Sequence, residues 1–429
     1  MLEKIRRTKN LPILLFVIII INLLPLALPN MISKQSHAAN TILMFLAFAI
    51  QCGLLVYFMY KKMELTKENT INLTLLCSVI AVLICVQVKN LFLGTANIMD
   101  IANIVCKFAN ILLLYIAMLN IKTEEKGILT FMKAILYLAV FACLFNMIFY
   151  SRELIGVFFE DASKYFESFK SFFANRNQFS FFLFIAIATN IFIIIKDNKL
   201  KYKLTLALLI FNLILGMSRT GMLVVGIFLF LSFITTDKVK GLVKLEIAMI
   251  IAIICMIIFI IICKISIDTM VNLVLTYLRP ESITSLSGRT DIWNIGLDLV
   301  KDNFENFLVG VGRFKGVESI KEAGKRFTQF HNTYIETLVS GGIIELIYIM
   351  YIYINTYIKV IKSDMNKNIK RKYLCFVLSY FIYMIFESLG RFSIGFVDVT
   401  CIICFITIPL LHANSIKDKL YIKSGEKNK

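Results

Sequence analysis

Apolar runs, each about the length of a membrane-crossing helix, recur along the chain with short polar breaks between them. They lie at 11–28, 41–60, 71–93, 99–119, 128–150, 178–195, 203–217, 220–235, 245–267, 332–358, 373–390 and 395–412. A helix needs about 20 mainly apolar residues to cross the hydrocarbon core. The runs lack the period-two alternation that the strands of an outer-membrane barrel require. The pattern predicts an all-α polytopic membrane protein with about twelve transmembrane helices, residues 1–429 forming a single integral membrane domain. Composition agrees: 59% of the 429 residues are hydrophobic and 17% are charged, against about a quarter charged in a soluble domain. The first run follows Lys4, Arg6, Arg7 and Lys9 and has no small-residue cleavage pattern, so it reads as a span and not as a signal peptide.

Forty-six Lys and Arg against 28 Asp and Glu leave a net charge of +18. A nucleic-acid partner is one explanation of such a surplus, so its location decides. With the N-terminus in the cytoplasm and the runs alternating, the inside segments are the N-terminal tail, 61–70, 120–127, 196–203, 236–244, 359–372 and the tail from 413. Together they hold 27 Lys and Arg against 10 Asp and Glu, which accounts for +17 of the +18. The positive-inside rule explains the basicity without any nucleic acid. It places both termini in the cytoplasm of a cell with the protein in its inner or plasma membrane.

The ten Cys fall in or beside apolar runs and read as buried small hydrophobes, Cys401 and Cys404 included. The three His (His37, His331, His412) are too dispersed for a metal cluster. Neither a metal nor another cofactor is expected.

Two external segments are long. Segment 151–177 carries Phe158, Phe159, Ala162, Tyr165, Phe166, Phe169, Phe172 and Phe173 at helical spacing, with charged residues between them. It is expected to form an amphipathic helix on the outer leaflet. Segment 268–330, between spans nine and ten, is large enough for an external subdomain. Ser287-Gly288-Arg289-Thr290 reads as a helix start there, with Ile292, Ile295, Leu299 and Val300 on one face. Trp293, the only Trp, reads as an interfacial anchor, and Gly310 and Gly312 as the turn that ends the helix.

Candidate chemistry concentrates at external span mouths. Arg219, in Ser218-Arg219-Thr220-Gly221, sits between two apolar runs with almost no loop. An arginine at that depth is costly unless paired or wet, and it cannot deprotonate. Its alternatives are a structural ion pair and an anion clamp. Arg176, in Asn175-Arg176-Asn177, and Arg289 belong to the same side by topology. Guanidinium forks suit phosphate oxygens. His331, in Phe330-His331-Asn332-Thr333-Tyr334, stands at the mouth of span ten, where a neutral imidazole can take a proton from a hydroxyl. Glu336 lies roughly 140° around an ideal helix from it, which supports no triad. Gly341-Gly342 reads as a close helix-packing site. Glu387 and Arg391 are spaced for a local ion pair, Arg391 alternatively joining the anion cavity. Lys89 and Lys107 are expected to snorkel or pair.

These motifs, in this order and spacing, resemble the O-antigen ligase and Wzy-type polysaccharide polymerase superfamily. They are Asn175-Arg176-Asn177, Ser218-Arg219-Thr220-Gly221, Ser287 to Trp293, Gly310-Val311-Gly312, and Phe330 to Glu336 leading to Gly341-Gly342. The resemblance covers about 151–345. It implies a GT-C-like fold and metal-independent glycosyl transfer on the external face of a bacterial membrane. The implied donor is a glycan on undecaprenyl diphosphate. Arg219 and Arg289 would bind the diphosphate, with Arg176 a weaker candidate, and His331 would activate the acceptor hydroxyl. Arg313, Glu336 and Arg391 are secondary candidates. The favoured expectation is a polymerase joining lipid-linked repeat units into a capsular or O-antigen polysaccharide, with a chain-length regulator protein as a partner. A ligase moving a finished glycan to a lipid or protein acceptor, and a lipid-linked oligosaccharide flippase, remain alternatives.

Overall fold

The computed structural model describes residues 67–98, 125–159, 168–173, 175–216, 218–235, 289–362 and 367–387, together with scattered positions between 42 and 112 and Tyr165. Eleven helices cover them: α1 (Lys67–Phe92), α2 (Glu125–Phe149), α3 (Ser151–Phe159), α4 (Arg176–Lys196), α5 (Leu200–Leu215), α6 (Arg219–Ile234), α7 (Arg289–Lys301), α8 (Phe304–Val309), α9 (Arg313–Glu322), α10 (Thr333–Lys362) and α11 (Lys367–Phe386). No strand occurs among the described residues, as the apolar pattern requires.

Seven predicted runs have their helices: 71–93, 128–150, 178–195, 203–217, 220–235, 332–358 and 373–390. By length and apolarity three described helices can cross a membrane, at Leu73–Phe92, Arg176–Ile195 and Thr333–Tyr351. A fourth candidate is the pair Ile135–Phe149 and Ser151–Val157, bent by 74°. The runs at 11–28, 245–267 and 395–412 lie outside the described residues, as do most of 41–60 and 99–119, Lys107, Ser287, Gly288 and Arg391.

The chain divides into two compact units. The first takes Met1–Phe131, Gly288–Met365 and Met384–Lys429; the second takes Met132–Ser287 and Asn366–Tyr383.

In the second unit, α4 is apolar all round and almost wholly buried, as a helix at the centre of a bundle must be. Its Phe181 meets Tyr383 edge-on at 4.9 Å, its Phe184 stacks on Phe376 at 5.3 Å, and its Phe192 stacks on Tyr373 at 4.2 Å. At the other end of α6, Lys372 donates to the Ser232 carbonyl and Arg371 to that of Thr235. Cations there satisfy helix C-terminal carbonyls and oppose the helix dipole.

Of the amphipathic helix expected within 151–177, α3 covers Ser151–Phe159, Ala162 and Phe166 lie outside the described residues, and the expectation is corrected at Phe169–Phe173, a turn with Phe169, Phe172 and Phe173 buried. Buried polar groups pin it. Ser171, at φ +52°, donates its N–H to Asn146 (3.0 Å) and its hydroxyl to the Ala142 carbonyl (2.8 Å), while Asn146 donates to Asn212 (3.1 Å). The helical spacing of the aromatics concealed this, because a turn that plunges its rings inward needs the same residues.

In the first unit, α7 turns Ile292, Gly296 and Val300 inward against Ile320, Phe330 and Val339. The helix ends at Lys301, and α8 follows before the glycine turn, so Gly310 ends α8, not α7, and Gly312 starts α9. Both adopt positive φ, +74° and +79°. Helix α10 is broken at Gly342 (φ +65°, ψ −163°). A Cβ there would fall 2.3 Å from the Leu308 carbonyl oxygen, and one on Gly310 would fall 2.6 Å from that of Val339. The Val311 N–H takes up the Val339 carbonyl at 2.8 Å. The glycine pair is thus a packing site, as expected, but backbone packs on backbone through an interrupted helix.

Candidate active site

The segment Gln329–Asn332 leads into α10 at the expected span mouth. Asn332 caps the helix, its Oδ1 accepting from the N–H groups of Tyr334 (2.9 Å) and Ile335 (3.1 Å). Glu336, buried, reaches back and accepts from the Phe330 N–H at 2.7 Å. The Phe330 carbonyl accepts from the Trp293 indole N–H at 2.8 Å. Both polar groups of Phe330 are therefore held, and the residue between it and the cap is His331, at φ +52°. A non-glycine residue in that region costs about 1–3 kcal/mol and persists only where its surroundings impose it. Trp293, expected as an interfacial anchor, also braces this loop. Glu336 positions the loop as well.

The imidazole lies against Glu387. His331 Nδ1 is 3.2 Å from Glu387 Oε2, and the Gln329 side-chain amide is 3.3 Å from the same nitrogen. Phe327 meets the ring edge-on at 5.6 Å. The other carboxylate oxygen, Oε1, accepts from Arg289 Nη2 at 3.0 Å. Arg289 Nη1 also donates to the Phe386 carbonyl, and the Thr333 hydroxyl donates to that of Glu387 at 2.7 Å. Glu387 is fully buried, with the side chains of Arg289 and His331 only 18% and 17% exposed. An ionised carboxylate only accepts, so Nδ1 carries the proton and Nε2 is left as the basic nitrogen.

The structure thus brings Arg289, His331 and Glu387 together in the first unit. Sequence reasoning found the first two and missed the third as a site residue. Spacing four residues before Arg391, which lies outside the described residues, suggested a local pair; Glu387 also answers residues 98 and 56 positions away. Its one available signal was being a carboxylate at an external span end.

Arg176 and Arg219 lie in the second unit, each the first residue of its helix. Asn175 caps α4 through the Gln178 N–H (2.9 Å) and Ser218 caps α6 through the Gly221 N–H (3.3 Å). The Ser218 hydroxyl donates to Asn177 at 3.1 Å, so the two helix heads meet. Gly221 is required there: a Cβ would fall 1.6 Å from Ser180 Oγ. Arg313, half-buried, begins α9. Among the described residues, no group of three or more His, Cys, Asp or Glu is placed to hold a metal ion.

Residues 204–350 match the family model of the O-antigen ligases, Wzy_C. That stretch carries Arg219, Arg289 and His331, and the match bears out the resemblance to the O-antigen ligase and Wzy-type superfamily. No curated protein matches the chain. The apolar helices mark a membrane protein, and residues 204–350 are what it has in common with the O-antigen ligases.

Proposed function

We propose that the protein is a polysaccharide polymerase that joins undecaprenyl-diphosphate-linked oligosaccharide repeat units on the external face of the bacterial inner or plasma membrane. The observation that carries this reading is the His331–Glu387–Arg289 constellation. His331 Nε2 removes the proton of the acceptor sugar hydroxyl as that oxygen attacks the anomeric carbon of the donor. The bond from that carbon to the diphosphate breaks, and the lipid diphosphate leaves with the electron pair. Glu387 holds the imidazole by Nδ1 and stabilises the imidazolium that forms. The two bonds of Arg289 leave further N–H donors of its guanidinium for the diphosphate, whose developing charge they stabilise. Arg219 and Arg176, at the heads of two helices, are proposed as further diphosphate ligands. Arg313 and Arg391 remain secondary candidates.

The twelve-span, GT-C-like architecture, cytoplasmic termini and a chain-length regulator as partner belong to the same reading. So do external segments at 151–177 and 268–330. A ligase uses the same chemistry with a finished glycan as donor. Deleting the gene and resolving the surface glycan on a gel separates the two. Single-repeat products are expected; complete polymer retained on its carrier would make the protein a ligase. A flippase needs no base, so reconstituted protein that moves lipid-linked glycan without forming a glycosidic bond would remove the enzyme reading.

A further inference from the structure

Two residues before His331 stands Gln329, only 5% exposed. Its side-chain nitrogen Nε2 lies 3.3 Å from His331 Nδ1, and its oxygen Oε1 is buried with no hydrogen-bond partner. The backbone between the two side chains is fixed, with the Phe330 N–H on Glu336 and the Phe330 carbonyl on Trp293. Nδ1 therefore faces two groups of opposite kind. Glu387 Oε2, at 3.2 Å, only accepts, and the nitrogen end of the Gln329 amide only donates. One ring nitrogen is either donor or acceptor, so no tautomer of His331 satisfies both. A hydrogen bond to an ionised carboxylate is about twice as strong as a neutral one. Glu387, ion-paired with Arg289 at 3.0 Å, thus draws the proton to Nδ1. The nitrogen end of the amide then faces an N–H, while its buried oxygen accepts nothing. Buried polar groups left in that condition are costly. The two ends of a carboxamide are alike in size, and a half-turn about Cγ–Cδ exchanges them.

We infer that Gln329 is a second positioning residue for His331: in the reactive state its amide is turned carbonyl-first, and Nδ1–H donates to Gln329 Oε1 and Glu387 Oε2 together. This rests on the reading of His331 as the base. Two acceptors sharing one N–H form a three-centre bond. Such a bond fixes the ring from two directions and so aims Nε2 at the acceptor hydroxyl. The amide dipole also supports the positive charge that the imidazole takes on when Nε2 receives the proton. Glu387 supplies the countercharge, and Gln329 supplies the second direction. In the sequence Gln329 carries no signal, since a polar residue two positions from a histidine belongs to no motif of its own.

The test uses the full chain in proteoliposomes supplied with polyprenyl-diphosphate-linked repeat units. Gln329→Met keeps the length of the side chain and removes the acceptor. Its kcat should fall about tenfold, while KM and the amount of folded protein hold. Gln329→Glu keeps an oxygen in the same place without the amide N–H, and should recover most of the lost rate. A Met variant as fast as the wild type, or a Glu variant no faster than the Met variant, would overturn the inference. Should either variant fail to fold, nitrogen NMR of the wild type with isotope-labelled histidine decides, the His331 signals being assigned by their loss in His331→Ala. At alkaline pH the imidazole proton should sit on Nδ1, which the amide can meet only with its oxygen. A proton on Nε2 would show the amide N–H donating to a bare Nδ1 and would overturn the inference. The rate of His331→Ala keeps the two readings apart. If that variant is fully active, the base assignment fails and Gln329 falls with it; if it is inactive while Gln329→Met is not impaired, only the role of Gln329 fails.

Discussion

Helix α4 in the second unit and helix α10 in the first are both long enough and apolar enough to cross a membrane, yet they are built by opposite means. Helix α4 is unbroken, capped by Asn175 and packed on most of its surface by aromatic rings. Helix α10 is interrupted at Gly342 by a neighbouring backbone turn, and its mouth is held by Glu336, Asn332 and Trp293 around a left-handed His331. The first design spreads its stabilisation over many interchangeable apolar contacts, each small. The second concentrates it in a few polar contacts between residues far apart in sequence, where one lost partner leaves a buried group unsatisfied. The difference marks where the chain tolerates substitution and where the proposed chemistry lies.

The comparison breaks most visibly at His331. Replacing it with Ala should lower glycan elongation by about 10²–10⁴-fold, the range of a general base. The protein should still accumulate in the membrane, and surface glycan resolved by gel is the readout. Unchanged chain length would return His331 to a structural role.

Arg219→Lys probes the second unit. The charge stays and the planar fork is lost, so elongation should fall about tenfold, the size of one charge-assisted hydrogen bond, while thermal stability in detergent holds. Full activity would make Arg219 structural.

A pair of glycine substitutions sharpens the contrast in packing. Gly221→Ala in the second unit meets a side chain, Ser180 Oγ, and should cost about 1–3 kcal/mol. Adding Ser180→Ala should restore part of it. Gly342→Ala meets the backbone of Leu308 at a positive φ, so the conformation alone costs about 1–3 kcal/mol and trimming Leu308 to Ala should not relieve it. Thermal unfolding of the four variants decides, and relief in the second case would mean that the break at Gly342 is not set by backbone contact.

Much of the fold was legible. The runs at 178–195 and 220–235 anticipate α4 and α6 to within two residues at each end, because span length and apolarity are local properties of the chain. The mouth residues Arg289 and His331 were legible as cations and an imidazole at external span ends. What escaped is tertiary. The turn at 168–173 uses aromatics whose spacing also fits a helix, and the break at Gly342 exists because the Leu308 turn is inserted there. Glu387 was hidden by its neighbour Arg391, since a spacing of four suggests a helical pair and nothing local announces partners at 289 and 331.

The central claim is that Glu387 acts through His331. Its most direct test is a cycle of initial rates in proteoliposomes supplied with polyprenyl-diphosphate-linked repeat units, using His331→Ala, Glu387→Gln and the double variant. Groups that act as a unit are non-additive. Glu387→Gln alone should lose a large part of the rate, and the double variant should be no slower than His331→Ala. Losses that multiply in the double variant would show the carboxylate and the imidazole working independently and would contradict the account.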